Sequence, residues 1–115
     1  CHCGAIEANI NVAENFEKVL RCNCSLCKRK GAVMSMVKNE NFKIIKGVDK
    51  LKLYQFHTKV AKHFFCSVCG IYTHHNPRSN PAMTGFNLGC LDEINTFELK
   101  DVLINDGHNH PLDNK

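Results

Sequence analysis

Cysteines supply most of the reactive groups in this 115-residue sequence, and they occur in clusters. Residues 22–27 (CNCSLC) contain three of them, and residues 1–4 (CHCG) and 66–70 (CSVCG) contain two each, so seven of the eight cysteines lie in three short segments. Thiolates are preferred ligands of tetrahedral Zn²⁺, and closely spaced ligand pairs are the usual mark of such sites. The pattern therefore predicts metal binding, with zinc as the preferred ion.

The spacing of the seven clustered cysteines predicts two sites of different kinds. Each of the two pairs is followed by a glycine, Gly4 or Gly70, which lets the backbone turn tightly around bound sulfurs. Together the pairs would make a closed structural site with four sulfurs, from Cys1, Cys3, Cys66 and Cys69. The third cluster offers three thiolates and would leave one coordination position open, as in a catalytic zinc site, from Cys22, Cys24 and Cys27. Cys90 or a histidine could complete this second set, and the residues alone leave that alternative open.

Three other uses of the cysteines compete with zinc. Disulfides fit the even count of eight, but cysteines so close together form strained small rings, and no secretory context is visible. A thioredoxin-like redox pair needs a helix after Cys-x-x-Cys, whereas residues 70–74 (GIYTH) have the pattern of a strand. An iron–sulfur cluster is an alternative use of residues 22–27, although the common bacterial run spaces its cysteines two apart throughout. Zinc is the interpretation that the spacings favour.

The seven histidines are not predicted to bind metal. In an extended segment, His2 would point away from the cysteines on either side of it. The others are expected to be ordinary structural or surface residues, because such roles outnumber ligand roles. We place His57, His63 and His74 in strands, His75 either at the end of the strand 70–75 or in the loop after it, and His108 and His110 in a solvated tail.

The elements that must position these groups are short strands. Apolar and polar residues alternate over residues 5–12, which predicts a half-buried strand with Ile6, Ala8, Ile10 and Val12 on one face. A single helical turn is predicted at residues 25–30, ended by Gly31. The other predicted strands are 17–21, 32–37, 42–46, 51–57, 60–65, 70–75, 83–88 and 98–104. Many short strands joined by turns favour a mostly β fold, with an antiparallel sheet or a barrel-like sandwich.

Length and composition predict a single domain, residues 1–115, with a modest core. A chain of this size buries only about two-thirds of the surface that its unfolded form exposes. The sequence also lacks Trp and contains only two Tyr. Bound metal would add to the stability, since structural zinc contributes an apparent ~10–16 kcal/mol. We therefore expect the fold to melt when its metal is removed.

Charge and hydropathy argue against several classes of partner. The formal charge is +4, but seven thiolates and two Zn²⁺ would lower it to +1. The only basic run in the sequence is residues 28–30 (KRK). We therefore expect no nucleic-acid surface. No stretch of about 18 apolar residues is present, so we expect no membrane span. Many free thiolates suit a reducing compartment, which favours the cytoplasm. Exposed sheet edges would allow a homodimer.

The three cysteine motifs, in this order, resemble those of the glutathione-dependent formaldehyde-activating enzyme family, which includes the centromere-protein-V-like proteins. Residues 87–92 (NLGCLD), together with 106–107 (DG) and 109–111 (NHP), are similar to two further motifs of that family. The resemblance covers nearly the whole chain and implies an Mss4-like zinc-binding β fold. It implies a structural zinc on one set of cysteines and a catalytic zinc on the other. The structural set is Cys1, Cys3, Cys66 and Cys69, and the catalytic set is Cys22, Cys24 and Cys27.

The same resemblance implies an activity, the formation of S-hydroxymethylglutathione from glutathione and formaldehyde, classed in the reverse sense as a carbon–sulfur lyase. The catalytic zinc would bind the substrate thiol and lower its pKa. Three thiolates leave a Zn²⁺ site with a net charge of −1, which favours thiol activation over strong polarisation of the aldehyde oxygen. Lys28, Arg29 and Lys30 follow the last ligand. We expect one or two of them, Lys28 and Arg29 first, to meet the carboxylates of glutathione, and the alternative is a solvated basic turn.

A function of another class is also open. The chain could be a non-enzymatic zinc module that binds another protein or a cytoskeletal surface, as the centromere-like relatives suggest. Such binding usually needs an appended basic or proline-rich tail, and no long segment of that kind is present in the sequence. The enzyme is therefore the preferred interpretation, and the zinc module is the alternative.

Overall fold

Short strands dominate the computed structural model, which describes residues 1–11 and 18–109. Residues Cys27–Lys30 form one helical turn, α1, and Gly31 ends it in the left-handed region at φ 67°, as the sequence predicted. The strands are β1 (Glu7–Ile10), β2 (Leu20–Cys22), β3 (Met34–Lys38), β4 (Phe42–Lys46), β5 (Leu51–Tyr54), β6 (Lys62–Cys66), β7 (Tyr72–Asn76), β8 (Met83–Asn87) and β9 (Leu103–Asn105). The prediction of a mostly β fold is confirmed.

The strands form one large sheet and one small one. The seven-stranded sheet has the order β5-β6-β7-β8-β3-β2-β9, and the two-stranded sheet pairs β1 with β4. All of these pairs are antiparallel except that of β2 with β9, which is parallel. The parallel pair brings the C-terminal part of the chain beside Cys22, which lies opposite Asn105.

The large sheet has one face in the core and the other on an open cleft. Strand partners point to the same face, and the core face carries the pairs of Phe86 with Ser35 and with His74. Phe86 and Leu88 are almost completely buried there, and Phe42 from the two-stranded sheet packs against their cluster. His74 is buried between the rings of Phe42 and Phe64, with centroids 4.5 and 4.6 Å away.

The predicted strand at residues 98–104 is wrong over most of its length. Residues Thr96–Glu98 form a 3₁₀ turn, in which the Asn95 side chain accepts a hydrogen bond of 3.1 Å from the backbone N–H of Phe97. Such local side-chain bonds compete with strand pairing. Asp101 then takes a positive φ of 57°, so a strand exists only from Leu103 onward.

The predicted strand at residues 51–57 is too long. It ends at Tyr54, because the Gln55 side chain donates hydrogen bonds to the backbone carbonyls of Lys59 and Ala61 and closes a turn. His57 has a φ of 50° in that turn, so its placement in a strand is wrong. His75 lies within β7, so the predicted strand 70–75 is confirmed at this residue and the alternative placement in a loop is wrong.

Some predictions are met only in part or fall outside the described residues. In the first strand Ile6 is buried and Ile10 half-buried, but Ala8 is exposed, next to an irregularity in the pairing of β1 with β4. Residues 12–17 and 110–115 lie outside the described part of the chain, together with Val12, the start of the predicted strand 17–21, and His110. Among the residues that are described, no helix is long and apolar enough to cross a membrane.

Candidate metal centres

The two cysteine pairs meet as predicted, although more than sixty residues separate them in sequence. The Sγ atoms of the four lie within 4.8 Å of one another and could hold a metal ion, from Cys1, Cys3, Cys66 and Cys69. Cys3 Sγ is 3.7 Å from both Cys1 Sγ and Cys66 Sγ. Sulfurs that each lie about 2.3 Å from a tetrahedral zinc are about 3.8 Å apart, so these separations fit a zinc site. All eight cysteines are free of disulfides, which removes the disulfide alternative.

Backbone amides surround this cluster. The N–H of Ile6 donates to Cys1 Sγ at 3.3 Å, and the N–H of Val68 donates to Cys66 Sγ at 3.3 Å. Hydrogen bonding from the backbone of Ile71 lowers the pKa of Cys69 to about 6. Gly70 adopts a φ of 78°, the left-handed conformation that the turn predicted for this glycine requires. These donors stabilise negative sulfur, as expected around metal-bound thiolates.

The second cluster forms from a local loop between β2 and α1. The Sγ atoms of Cys22, Cys24 and Cys27 lie within 4.8 Å of one another and could also hold a metal ion. The N–H of Cys27 donates to Cys24 Sγ at 3.3 Å, and that of Cys24 donates to Cys22 Sγ at 3.5 Å. Hydrogen bonds from the Cys24 and Cys27 thiols lower the pKa of Cys22 to about 2, and the reciprocal contacts raise the pKa of Cys27. The three sulfurs thus share negative charge, which suits a cation.

Neither Cys90 nor a histidine joins the second cluster among residues 1–11 and 18–109. The Cys90 thiol instead lies 3.7 Å from the backbone oxygen of Tyr72 and donates to it. Within this part of the chain the seven cysteines are therefore grouped as predicted, four in one cluster and three in the other. The roles assigned to each set stay predictions.

An open cleft with a volume of about 520 Å³ adjoins the second cluster, and its lining includes all three of these cysteines. Its floor is the outer face of the large sheet, where strand pairing places Met36, Gly85, His75 and His63 in one row across four strands. A Cβ on Gly85 would lie 2.2 Å from the ring of His75. The absence of a side chain at Gly85 therefore leaves the space that the imidazole of His75 occupies.

His63 and His75 stack in the cleft, with ring centroids 5.6 Å apart. Burial lowers the pKa of His63 to about 4 and that of His75 to about 3, so both rings are neutral at neutral pH. His75 Nδ1 bonds the hydroxyl of Tyr72, which also lies 3.4 Å from the sulfur of Met34. From the sequence these two histidines are predicted to be ordinary residues, and only the pairing of β6 with β7 brings them together near the sulfurs.

Lys30 carries a positive charge into the same region. Its Nζ lies 3.4 Å from His63 Nδ1 and 3.7 Å from the centroid of the Tyr72 ring. Burial lowers the pKa of Lys30, whereas negative charge on Cys27, Cys24 and Cys22 acts in the opposite direction. The ammonium is thus held against an aromatic face and an imidazole within the electrostatic reach of the sulfur cluster.

Lys28 and Arg29, the predicted substrate contacts, lie on the exposed side of α1. Both are exposed, and the guanidinium of Arg29 donates to the backbone oxygen of Ser25 at 2.6 Å. Neither lines the cleft, whereas Arg78, in the loop after β7, does. Contact between Lys28 or Arg29 and a substrate stays a prediction.

The C-terminal part of the described chain is clamped onto the sulfur loop, where a solvated tail was expected. Asn23 donates from its side chain to Asp106 Oδ1 at 3.1 Å and accepts from the backbone N–H of His108 at 2.9 Å. Hydrogen bonds from the side chains of Asn109 and then Asn23 lower the pKa of Asp106. Gly107 packs so closely that a Cβ there would lie 2.7 Å from Cys22 Sγ. His108 itself is exposed, as predicted.

The fold and these clusters define a class, the small β proteins in which sets of cysteines could hold metal ions beside an open cleft. Within that class the chain belongs to the family of the glutathione-dependent formaldehyde-activating enzyme, whose model matches residues 1–103. The chain is also similar to a solved structure, the crystal structure of a Rhodobacter sphaeroides protein. The two share 42% sequence identity and a TM-score of 0.87, over 91% of this chain and 96% of that one. The resemblance seen in the sequence is therefore confirmed at the level of family.

Proposed function

We propose that this protein catalyses the reversible addition of the glutathione thiol to formaldehyde or another small aldehyde, and so acts as a zinc-dependent carbon–sulfur lyase. The observation that carries the proposal is the group of three sulfurs that lines the cleft, with no fourth cysteine, histidine or carboxylate close enough to complete the group among the described residues. Family membership supports the same substrates through the name of the family. Two Zn²⁺ per chain are proposed, one for each cluster.

The reaction needs a sulfur nucleophile and a proton for the aldehyde oxygen. A bond forms between sulfur and the carbonyl carbon, the C=O π pair moves to oxygen, and the proton lost by the thiol is balanced by one gained at that oxygen. In the cleft Cys22, Cys24 and Cys27 would hold the ion, and zinc there supplies the positive centre that lowers the pKa of an incoming thiol. The other cluster would hold its ion for structure alone.

In this proposal His63 assists at the oxygen. The Lys30 ammonium can only donate, so its contact with His63 Nδ1 makes that nitrogen the acceptor and leaves the proton of the neutral ring on Nε2. An Nε2–H group in the cleft can donate a hydrogen bond to an oxygen that gains negative charge. His75 supports the ring of His63 by stacking and is itself fixed by Tyr72.

Arg78 is proposed to bind a carboxylate of glutathione. It is half-buried and lines the cleft, and a guanidinium can bind a carboxylate through two parallel hydrogen bonds. Lys28 and Arg29 stay in the proposal as contacts for the other carboxylate, at the exposed side of α1.

The proposal is tested by comparing two cysteine variants of the zinc-loaded protein. Exchange between formaldehyde, glutathione and their adduct is followed by NMR for the parent, Cys24→Ser and Cys90→Ser. Cys90→Ser is the matched control, because Cys90 belongs to neither sulfur cluster. We expect Cys24→Ser to lose the acceleration over the uncatalysed exchange and Cys90→Ser to keep it. Full acceleration in Cys24→Ser would reject the three-sulfur site as the site of reaction.

A further inference from the structure

The wall of the cleft next to the sulfurs is apolar. Leu20 lies two residues before Cys22 on β2, so both point to the same face of the sheet, and its strand partners there are Met34 and Leu103. Together with Met36, these residues line the cleft. An apolar wall therefore begins directly beside the sulfur cluster, on the same face.

Part of this wall is exposed to solvent. Leu103 is 56% exposed and Ile104 is 65% exposed, and both line the cleft. Arg78 is the one lining residue with a permanent positive charge in the described part of the chain. Glutathione, by contrast, carries two carboxylates and an ammonium, and formaldehyde adds only a single carbon. A hydroxymethyl group would leave most of this wall without a partner.

We infer that the cleft takes adducts in which the carbon bonded to sulfur also carries an apolar chain of several carbons. This inference rests on the proposed function and names the aldehyde as a medium-length aliphatic one rather than formaldehyde. The reaction is unchanged: the S–C bond forms, the C=O bond becomes C–OH, and the thiol proton is balanced by the proton on the new hydroxyl. The alkyl chain lies along Leu20, Met36 and Leu103.

The inference is tested first by binding, with stable thioethers that resemble the adduct. Dissociation constants of S-methyl-, S-butyl- and S-hexylglutathione for the zinc-loaded protein are measured by calorimetry. A fully buried methylene strengthens binding about fourfold. Because the cleft is open on one side, we expect S-hexylglutathione to bind at least about tenfold more tightly than the S-methyl compound. Equal affinities across the series would overturn the inference.

A pair of leucine variants locates the effect. Leu103→Gln changes a half-exposed leucine on one edge strand of the large sheet, and Leu53→Gln changes a leucine of similar exposure, 49%, on the opposite edge strand, away from the cleft. We expect Leu103→Gln to lower the ratio of hexyl to methyl affinity at least about threefold and Leu53→Gln to leave it unchanged. An equal effect of both variants would also overturn the inference.

Catalysis separates this inference from the proposed function. The rates of adduct formation of glutathione with formaldehyde, butanal and hexanal are compared under the same conditions, and we expect kcat/KM to rise with chain length. Catalysis with formaldehyde alone would reject the apolar chain and leave the proposed function standing. No catalysis with any aldehyde, alongside a clear gain in affinity with alkyl length, would reject the proposed function and leave the apolar site standing.

Discussion

Lys30 brings a positive charge within electrostatic reach of the three-sulfur cluster, from the same helical turn that begins with Cys27. This positive charge contributes, after burial, to lowering the pKa of His63 to about 4. The contacts of the ammonium with the Tyr72 ring and His63 hold it in place. Lys28, two residues earlier, is exposed. The two lysines thus differ in surroundings while they share the same turn.

Replacing Lys30 should raise the pKa of His63. A positive charge close to an imidazole opposes its protonation, so removing that charge makes protonation easier. We expect the pKa of His63 to rise from about 4 by at least about one unit in Lys30→Met and to stay unchanged in the matched control Lys28→Met, measured by NMR titration of the ring. The same pKa in both variants would show that the Lys30 ammonium does not act on His63.

The sequence predicted the cysteines of both clusters but not the other groups beside them. The cysteines were found because ligand spacing is a local pattern. His63 and His75 are twelve residues apart and meet only through the register of β6 and β7, and the room for His75 depends on Gly85 in a third strand. No pattern within one segment carries that information, so a histidine in the core, such as His74, and a histidine in the cleft look alike in the sequence.

At the scale of elements, β9 and the turn after it hold the sulfur loop in shape. Asp106 accepts hydrogen bonds from Asn23 at 3.1 Å and from Asn109 at 2.6 Å. The side chain of Asn105 donates to Cys22 Sγ at 3.6 Å. This clamp, made of Asn105, Asp106 and Asn109, thus fixes the loop through Cys22 and Asn23. Because hydrogen bonding lowers the pKa of Asp106, this carboxylate is ionised and the clamp is complete at neutral pH.

Removing the clamp should loosen the metal without unfolding the protein. Partners that orient metal ligands typically contribute about 10- to 100-fold to metal affinity. We expect Asp106→Ala to speed the release of one zinc to a chelator by at least about tenfold, with little change in thermal stability, because Asp106 is exposed. Asp49→Ala is the control. Asp49 is also exposed, and in the described part of the chain its one ion pair is with the neighbouring Lys50, at 3.9 Å. Unchanged release in Asp106→Ala would show that the clamp does not position the ligands.

The sequence also predicted most elements but misjudged where some of them end. Strands β3, β4 and β8 follow alternating or apolar runs and were found close to their observed bounds. Strand β9 was not recognised as a short parallel strand, because its partner β2 is about eighty residues away. One turn shortens β5 and another interrupts the predicted strand at residues 98–101. They depend on a hydrogen bond that the Gln55 side chain donates and on one that the Asn95 side chain accepts. In the sequence, polar residues of this kind cannot be distinguished from ordinary strand or loop residues, because their hydrogen-bond partners are known only from the structure.

On the scale of the whole molecule, the two clusters connect different parts of the chain. The four-sulfur cluster joins the first residues, ahead of the small sheet, to Cys66 at the end of β6 and Cys69 in the turn beyond it. The three-sulfur cluster closes only a six-residue loop. Because loop-closure entropy grows with the logarithm of loop length, a link across about sixty residues constrains the unfolded chain by about 2 kcal/mol more than a link across six. The four-sulfur cluster should therefore carry the stability, and the three-sulfur cluster the reactivity.

Metal removal should accordingly occur in two stages. We expect a chelator to take one zinc from the cleft with little change in circular dichroism, and the second only as the fold melts. The matched variants are Cys24→Ser and Cys3→Ser, each of which should reduce the zinc content from two to one. Since a structural zinc contributes an apparent ~10–16 kcal/mol, Cys3→Ser should lower the melting temperature sharply or prevent folding, whereas Cys24→Ser should melt close to the parent. Equal loss of stability in both variants would contradict this division, and so would release of both ions in a single step.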